Sequence, residues 1–300
     1  MPLHIVHHPD YDARFPAHHR FPMGKYSRLV GELERKGIMG RSVSHLAGHA
    51  PFEWLTRAHD PIYVEQITTA SVPPHIERDI GFPVSEAVSH RSRLSCGGTV
   101  AAARLALQYG IACNMAGGSH HARPGGGAGF CTLNDVGVAA LELLSAGDVE
   151  KILVVDLDVH QGDGTAEIFF DDPRVFTFSM HGEKNYPARK AVSDLDIGLP
   201  DGQGDQAYME RLSEVLPALF SRARPDLVFF NAGVDPHRDD RLGRLSLSDD
   251  GLRERERRVI DFFRSRGIAI CGVLGGGYSR DVEELAARHS ILFEVAEEFA

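Results

Sequence analysis

The chain has no run of 18 consecutive apolar residues, no Cys-x-x-Cys pair and no excess of basic residues. The first absence argues against a membrane-spanning helix, which needs about 20 predominantly apolar residues. The second, with only four cysteines (Cys96, Cys113, Cys131 and Cys271), leaves no disulfide framework and points to a reducing compartment. The third is a balance of 32 Lys and Arg against 42 Asp and Glu, a formal charge of −10. Broad nucleic-acid binding is therefore not expected, because phosphate contacts need clustered cations. The opening MPLHIVHHPD carries neither the basic stretch nor the apolar core of a secretory signal, so a cytoplasmic location is expected.

Other absences narrow the chemistry. No Gly-x-Gly-x-x-Gly opens a helix after the first apolar strand, and no phosphate-cradling Gly-x-x-x-x-Gly-Lys-Ser/Thr occurs. The stretch GGSHH lacks the second glycine of a serine-nucleophile elbow. Internal repeats and low-complexity linkers are also missing, so residues 1–300 read as one domain.

What is present is a hydrophobic content of 43% and an alternation of short apolar runs with amphipathic ones. Strands are expected over 3–8, 110–118, 151–159, 175–180, 226–233 and 267–277. Helices are expected over 23–36, 98–109, 134–146, 205–223, 249–265 and 281–289, with Gly37, Gly110, Gly147 and Gly267 as stop signals. This order predicts an α/β protein with a mostly parallel sheet. Sixteen histidines are many, and five crowd the start (His4, His7, His8, His18, His19). With no carboxylate or Cys at ligand spacing, these read as scattered rather than metal-binding.

Four expected strands are followed by the densest polar and glycine-rich segments: GGSHHARPGGGAGFCTLND, DLDVHQGDGT, GVDPHRDDRLG and GGGYSRD. In open parallel sheets the loops at strand carboxyl ends converge on one crevice. Asp156, Asp158 and His160 recur every second residue at the end of an apolar run, which on a strand aligns them on one face. Buried carboxylates are costly unless paired or bound to a cation. A divalent ion held by one His and two carboxylates is the better reading, with Asp158 and His160 as two ligands. Spacing leaves the third open among Asp235, His237, Asp239 and Asp240. His120 and His121, beside a Gly-rich loop, suit acid–base work, and Tyr278 after three glycines is placed to reach a substrate oxygen.

Taken together, HHARPGGGAGFCTLND, DLDVHQGDGT, DDRLG and GGGY resemble the zinc-dependent histone deacetylase family over nearly the whole chain. RFPMGKY, GFPVSEAVSHRSRLSCGGT and MHGEKNYP are similar to its class IV and bacterial members. The resemblance implies the arginase/deacetylase fold, a parallel sheet of about eight strands sandwiched by helices. It implies zinc on Asp158, His160 and Asp240, with Asp235 a neighbour that does not bind metal; the oxygen and nitrogen ligands would also suit Fe(II) or Co(II). By the same resemblance His120 and His121 are tandem histidines steered by Asp156 and Asp163, and Tyr278 polarises the carbonyl. Phe130 and Tyr186 wall the acyl-lysine tunnel, with the Gly129 backbone near the substrate amide. A structural potassium ion is implied at Asp156, Asp158, His160, Ser179 and Met180, and Arg20 is implied near an internal acetate pocket.

The activity so implied is hydrolysis of the amide of Nε-acetyl- or acyl-lysine in proteins or peptides. An acetylpolyamine or other acylated small amine is the alternative substrate. A catalytically silent acyl-lysine binding protein is the alternative from another class, which the intact metal and acid–base set disfavours.

Overall fold

The computed structural model describes residues 1–16 and 19–300; His18 lies outside the described residues. Its frame is an eight-stranded sheet of β1 (His4–His7), β2 (Val43–Leu46), β3 (Ile111–Asn114), β4 (Ile152–Asp156), β5 (Val175–Gly182), β6 (Leu195–Leu199), β7 (Leu227–Asn231) and β8 (Ala269–Val273). The spatial order is β2-β1-β3-β8-β7-β4-β5-β6 and every pairing is parallel. Every residue of β4, β7 and β8 is buried. Their runs ILVVD, LVFFN and AICGV are therefore apolar on both faces, as strands covered by helices on each side must be.

The expected strands are found, each shorter than its apolar run except β5, which continues two residues past 180 to Gly182. β2 and β6 were not expected from sequence. Both lie at the sheet edges, and VSHL and LDIGL are largely exposed or half-buried, so neither needs an apolar run. The principal helices are α1 (Lys25–Arg35), α2 (Glu86–Tyr109), α3 (Asp135–Ala146), α4 (Asp205–Ala223), α5 (Asp249–Arg264) and α6 (Val282–Glu297). α2 begins twelve residues earlier than residue 98, capped by the Ser85 hydroxyl. Its first half buries Ser89, Arg91, Ser92 and Ser95, a polar inward face that hides the helical period.

The loop after β3 is tied down by His59. Its Nδ1–H donates to the Arg123 carbonyl (2.8 Å) and its Nε2 accepts from the Asn134 backbone N–H (2.9 Å), just ahead of α3. Burial pushes the imidazole down to about 4 from 6.5, so it folds neutral. The unfolded chain then binds the proton first as pH falls. The contribution is complete above pH 6.5 and is lost between 6.5 and about 4. Urea denaturation is expected to show a loss of up to about 3 kcal/mol over that window. His59→Gln is expected to flatten that part of the curve; an unchanged slope would reject the assignment.

Candidate active site

The polar loops follow β3, β4, β7 and β8, and these four strands are neighbours in the sheet although distant in sequence. Their carboxyl ends therefore open on one place. β4 stops at Asp156, so Asp158 and His160 do not continue a strand face as the spacing predicts. They lie in a bend held by its own side chains. Asp158 N–H donates to Asp156 Oδ1 (3.1 Å), and His160 N–H to Asp158 Oδ1 (3.0 Å). Val159 N–H reaches across to Asp235 Oδ1 after β7 (2.9 Å).

Two His–Asp pairs are buried side by side. His120 Nδ1 is 2.7 Å from Asp156 Oδ2, and His121 Nδ1 is 2.5 Å from Asp163 Oδ1. The two Nε2 atoms lie 3.1 Å apart. Burial alone lowers both rings, and the balance of neighbours separates them. The carboxylates of Asp156 and Asp158 outweigh it at His120 and push that ring up to about 9. At His121 burial and the charge of His120 prevail, leaving it at about 4. Asn231 Nδ2 donates to Asp156 Oδ1 (3.0 Å), and Arg123 donates to Asp163 Oδ2 (2.7 Å), so each carboxylate has a second partner.

Asp158, His160 and Asp235 are buried and bring one ligand atom each within 4.8 Å of one another. His160 Nδ1 is 3.1 Å from Asp158 Oδ1 and 3.1 Å from Asp235 Oδ2. Burial opposes charge on this ring, yet the two carboxylates raise it to about 10. Two carboxylates and an imidazole converge on one point, which is the demand a divalent cation meets. Oxygen and nitrogen donors of this kind suit zinc, Fe(II) or Co(II). Asp240 is not in this tightest group. Its Oδ1 accepts from the Leu242 and Gly243 N–H groups and its Oδ2 from Tyr278 N–H (2.7 Å). Of the other sequence candidates, buried His237 pairs with Asp249 (3.3 Å) and exposed Asp239 with Arg288 (3.3 Å), outside the cluster.

A cavity of about 410 Å³ leads to the group, lined among others by His121, Gly129, Phe130, His160, Tyr186 and Tyr278. Phe130 takes a left-handed backbone (φ 67°), held by N–H bonds from Gly129 to the Asp79 carbonyl and from Phe130 to the Ile80 carbonyl. Gly129 has no alternative: a Cβ there would stand 2.5 Å from the His121 ring. Tyr186, 43% exposed, sets its ring edge-on to His121 at 4.8 Å. Tyr278 is buried, 6.0 Å from the His160 ring and 5.7 Å from Phe130. Burial and the charges of Asp158 and Asp235 hold its phenol well above the ordinary value, so it remains a hydrogen-bond donor. Gly276 allows the GGGY loop to lie against the acids. Its N–H donates to Asp158 Oδ2 (2.6 Å), and a Cβ would sit 2.2 Å from Asp235 Oδ2. A larger cleft of about 780 Å³, lined by Asp10, His90 and Arg93, holds no such metal-capable group among the described residues.

The remaining sequence candidates divide. Asp156, Ser179 and Met180 are buried, and Asp156 sits opposite Ser179 in the β4–β5 register. Arg20 is exposed at the cavity mouth and does not reach an inner pocket. The inner recess is lined instead by Arg91, whose guanidinium lies 4.5 Å over the Tyr26 ring. Nearby, buried Lys25 donates to the Gly275 carbonyl (3.0 Å). Sequence reading missed both cations, because each sits within a helix where a charged residue signals solvent. Asp79, also missed, lines the mouth.

Arg255 was missed as well. Fully buried on α5, it donates from Nη1 to the carbonyls of Leu157 (3.0 Å) and Gly233 (2.8 Å) and pairs bidentately with Glu256 (2.7 Å each). One guanidinium thus clamps the loops that carry Asp158 and Asp235. Arg255→Met strands the buried Glu256 charge, and a loss of about 3–5 kcal/mol is expected in urea denaturation. A loss below about 1 kcal/mol would show that the clamp contributes little.

The fold matches the crystal structure of the HDA15 HD domain with a TM-score of 0.82 at 23% identity, covering 97% of this chain and 90% of that one. That establishes the arginase/deacetylase architecture. Residues 19–292 match the histone deacetylase domain, and the chain belongs to the histone deacetylase family. It is 46% identical over 296 residues to an uncharacterized protein of Picosynechococcus, covering 99% of both chains. It is 29% identical to histone deacetylase 2 of Arabidopsis thaliana, covering 94% of this chain and 76% of that one. A probable deacetylase of Archaeoglobus fulgidus is 34% identical over 68% of this chain and 60% of its own. The chain is accordingly a hydrolase acting on amide bonds. No helix among the described residues is long and apolar enough to cross a membrane.

Proposed function

We propose that the protein is a metal-dependent deacylase that hydrolyses the amide of Nε-acyl-lysine in proteins or peptides, working as a single catalytic domain over residues 1–300. The observation that carries this reading is the meeting of two buried His–Asp pairs, a metal-capable acid–imidazole group and a protonated phenol at one cavity. Asp158, His160 and Asp240 would hold zinc, or Fe(II) or Co(II) in its place. Bound there, the cation supplies Lewis acidity to a water and to the amide carbonyl.

The chain's own groups do the rest. Asp163 accepts from His121 Nδ1–H, which leaves Nε2 as the basic nitrogen, 3.1 Å from His120 Nε2. With its pKa held near 4, that ring is a free base at neutral pH. It takes a proton from the attacking water and returns one to the departing lysine amine. His120, kept charged by Asp156, stabilises the anionic transition state, and the Tyr278 hydroxyl donates to the carbonyl oxygen. Phe130 and Tyr186 flank the lysine chain, with the Gly129 backbone beside the amide. Asp156, Asp158, His160, Ser179 and Met180 are assigned to a structural potassium ion. Four free, buried cysteines support a cytoplasmic setting.

The test is amine release by zinc-reconstituted protein on acetyl-lysine peptides, longer acyl-lysine peptides and acetylspermidine, with Asp240→Ala as control. Turnover of the peptides that disappears in the control is expected. Turnover confined to acetylspermidine would make the protein a small-amine hydrolase. No release on any member, with zinc bound, would reject the proposal.

A further inference from the structure

The chain carries a formal charge of −10, yet the opening of its cavity is basic. Arg20, Lys184 and Arg244 line the mouth, against Asp79 alone. The excess continues outward on both sides. Arg189 and Lys190, just past Tyr186, line an adjoining groove of about 720 Å³. Arg241, next to Leu242 of the mouth, and Arg280, two residues beyond Tyr278, line another of about 620 Å³.

Several basic side chains in this region are compensated internally. Arg123 is spent on Asp163 and Glu167, and Arg28 on Glu283 (3.1 Å). Arg244 and Lys184 share one carboxylate, Asp201, at 3.2 and 3.9 Å. Arg20, Arg189, Arg241 and Arg280 are exposed, and none makes an ion pair within 4.0 Å among the described residues. Like charges around a concave opening sum to a field that gathers ligands of opposite sign and repels those of the same sign. At a rim they act on encounter and selection more than on the chemistry within.

Depth decides which part of the substrate meets this field. The inner cavity is lined by Gly129, Phe130, His121, His160 and Tyr278, where the acyl group goes, whereas Arg20 lines its mouth and Arg189, Arg241 and Arg280 line the grooves outside it, where residues flanking the lysine would run. Resting on the deacylase reading above, we infer that the substrates are acidic protein segments, with Asp or Glu flanking the acyl-lysine, and that the cationic rim selects them over lysine-rich basic tails. Among the described residues, Asp79 at the mouth and the Asp201 shared by Arg244 and Lys184 are too few to reverse the sign.

The experiment compares kcat/KM on three acetyl-lysine peptides of equal length, with acidic, uncharged or basic flanks, on the metal-loaded protein. The acidic peptide is expected to exceed the basic one by about tenfold or more at low salt. The ratio should fall toward one near 1 M salt, where the screening length is about 3 Å. Arg189→Glu combined with Arg241→Glu is expected to lower or invert the ratio, and because the ratio is taken on one protein, partial misfolding does not produce it. Hydrolysis of all three at equal rates, or a preference for the basic peptide, overturns the inference and leaves the deacylase reading intact. A gain seen only when the acyl group itself is anionic, as in succinyl-lysine with uncharged flanks, also overturns it. No hydrolysis of any peptide removes both.

Discussion

Asp240→Ala is expected to abolish stoichiometric metal binding and turnover together. Asp235→Asn is expected to weaken metal affinity by roughly 10–100-fold while keeping turnover at saturating metal. The prediction is sharp because two observations pull apart. Distance alone selects Asp235, whose Oδ2 lies 3.1 Å from His160 Nδ1. But Asp235 is fully buried, and its Oδ1 is already engaged by the Val159 N–H. Asp240 is only half-buried, on the loop whose Leu242 lines the cavity, and it accepts the backbone N–H of Tyr278. A ligand on that loop faces the side from which substrate arrives, whereas Asp235, with one oxygen on the Val159 N–H and the other at His160 Nδ1, is placed to orient the imidazole. Metal content by plasma emission, with cobalt absorption as a second readout, decides the matter. Full metal binding in the Asp240 variant, with loss in the Asp235 variant, would exchange their roles. Chelation of the native protein is expected to remove activity, and added zinc or Co(II) to restore it.

Tyr278→Phe is expected to lower kcat by about 10²–10³, or 3–4 kcal/mol, with KM changed far less. The phenol is buried beside Phe130 and His160, and the charges around it keep it protonated, so its hydroxyl is a donor held in place before substrate arrives. Removing the oxygen leaves the ring packing intact, which separates lost hydrogen bonding from lost structure. A kcat within threefold of the native value, with metal content unchanged, would remove Tyr278 from the chemistry. His121→Ala acts on a different step, and a fall of roughly 10²–10⁴ is expected from the loss of a positioned base.

The sequence alone determined which residue types sit after which strands. Apolar runs end in GGSHH, DLDVH, GVDPH and GGGY whatever the topology, and helix stops such as Gly110 and Gly147 fall where the glycines are. Those signals are local, because a buried strand must be apolar and a left-handed cap favours glycine. They also sufficed to expect a parallel sheet. Local signals failed where burial and polarity part company. The edge strands β2 and β6 need no apolar run, and the first half of α2 faces inward with serines and an arginine. Nothing in the sequence marks Lys25, Arg91 and Arg255 as buried, because only tertiary contacts supply the carbonyls and aromatic faces that satisfy them.

The tertiary structure decided adjacency. Parallel strands are joined by crossovers, so neighbours in the sheet need not be neighbours in the chain. The order β3-β8-β7-β4 brings His120, Gly276, Asp235 and His160 from four distant segments to one buried cluster. The tertiary structure also puts Arg20 at the mouth and Arg189, Arg241 and Arg280 in two further grooves of an acidic protein, a distribution that no count of charges along the chain contains.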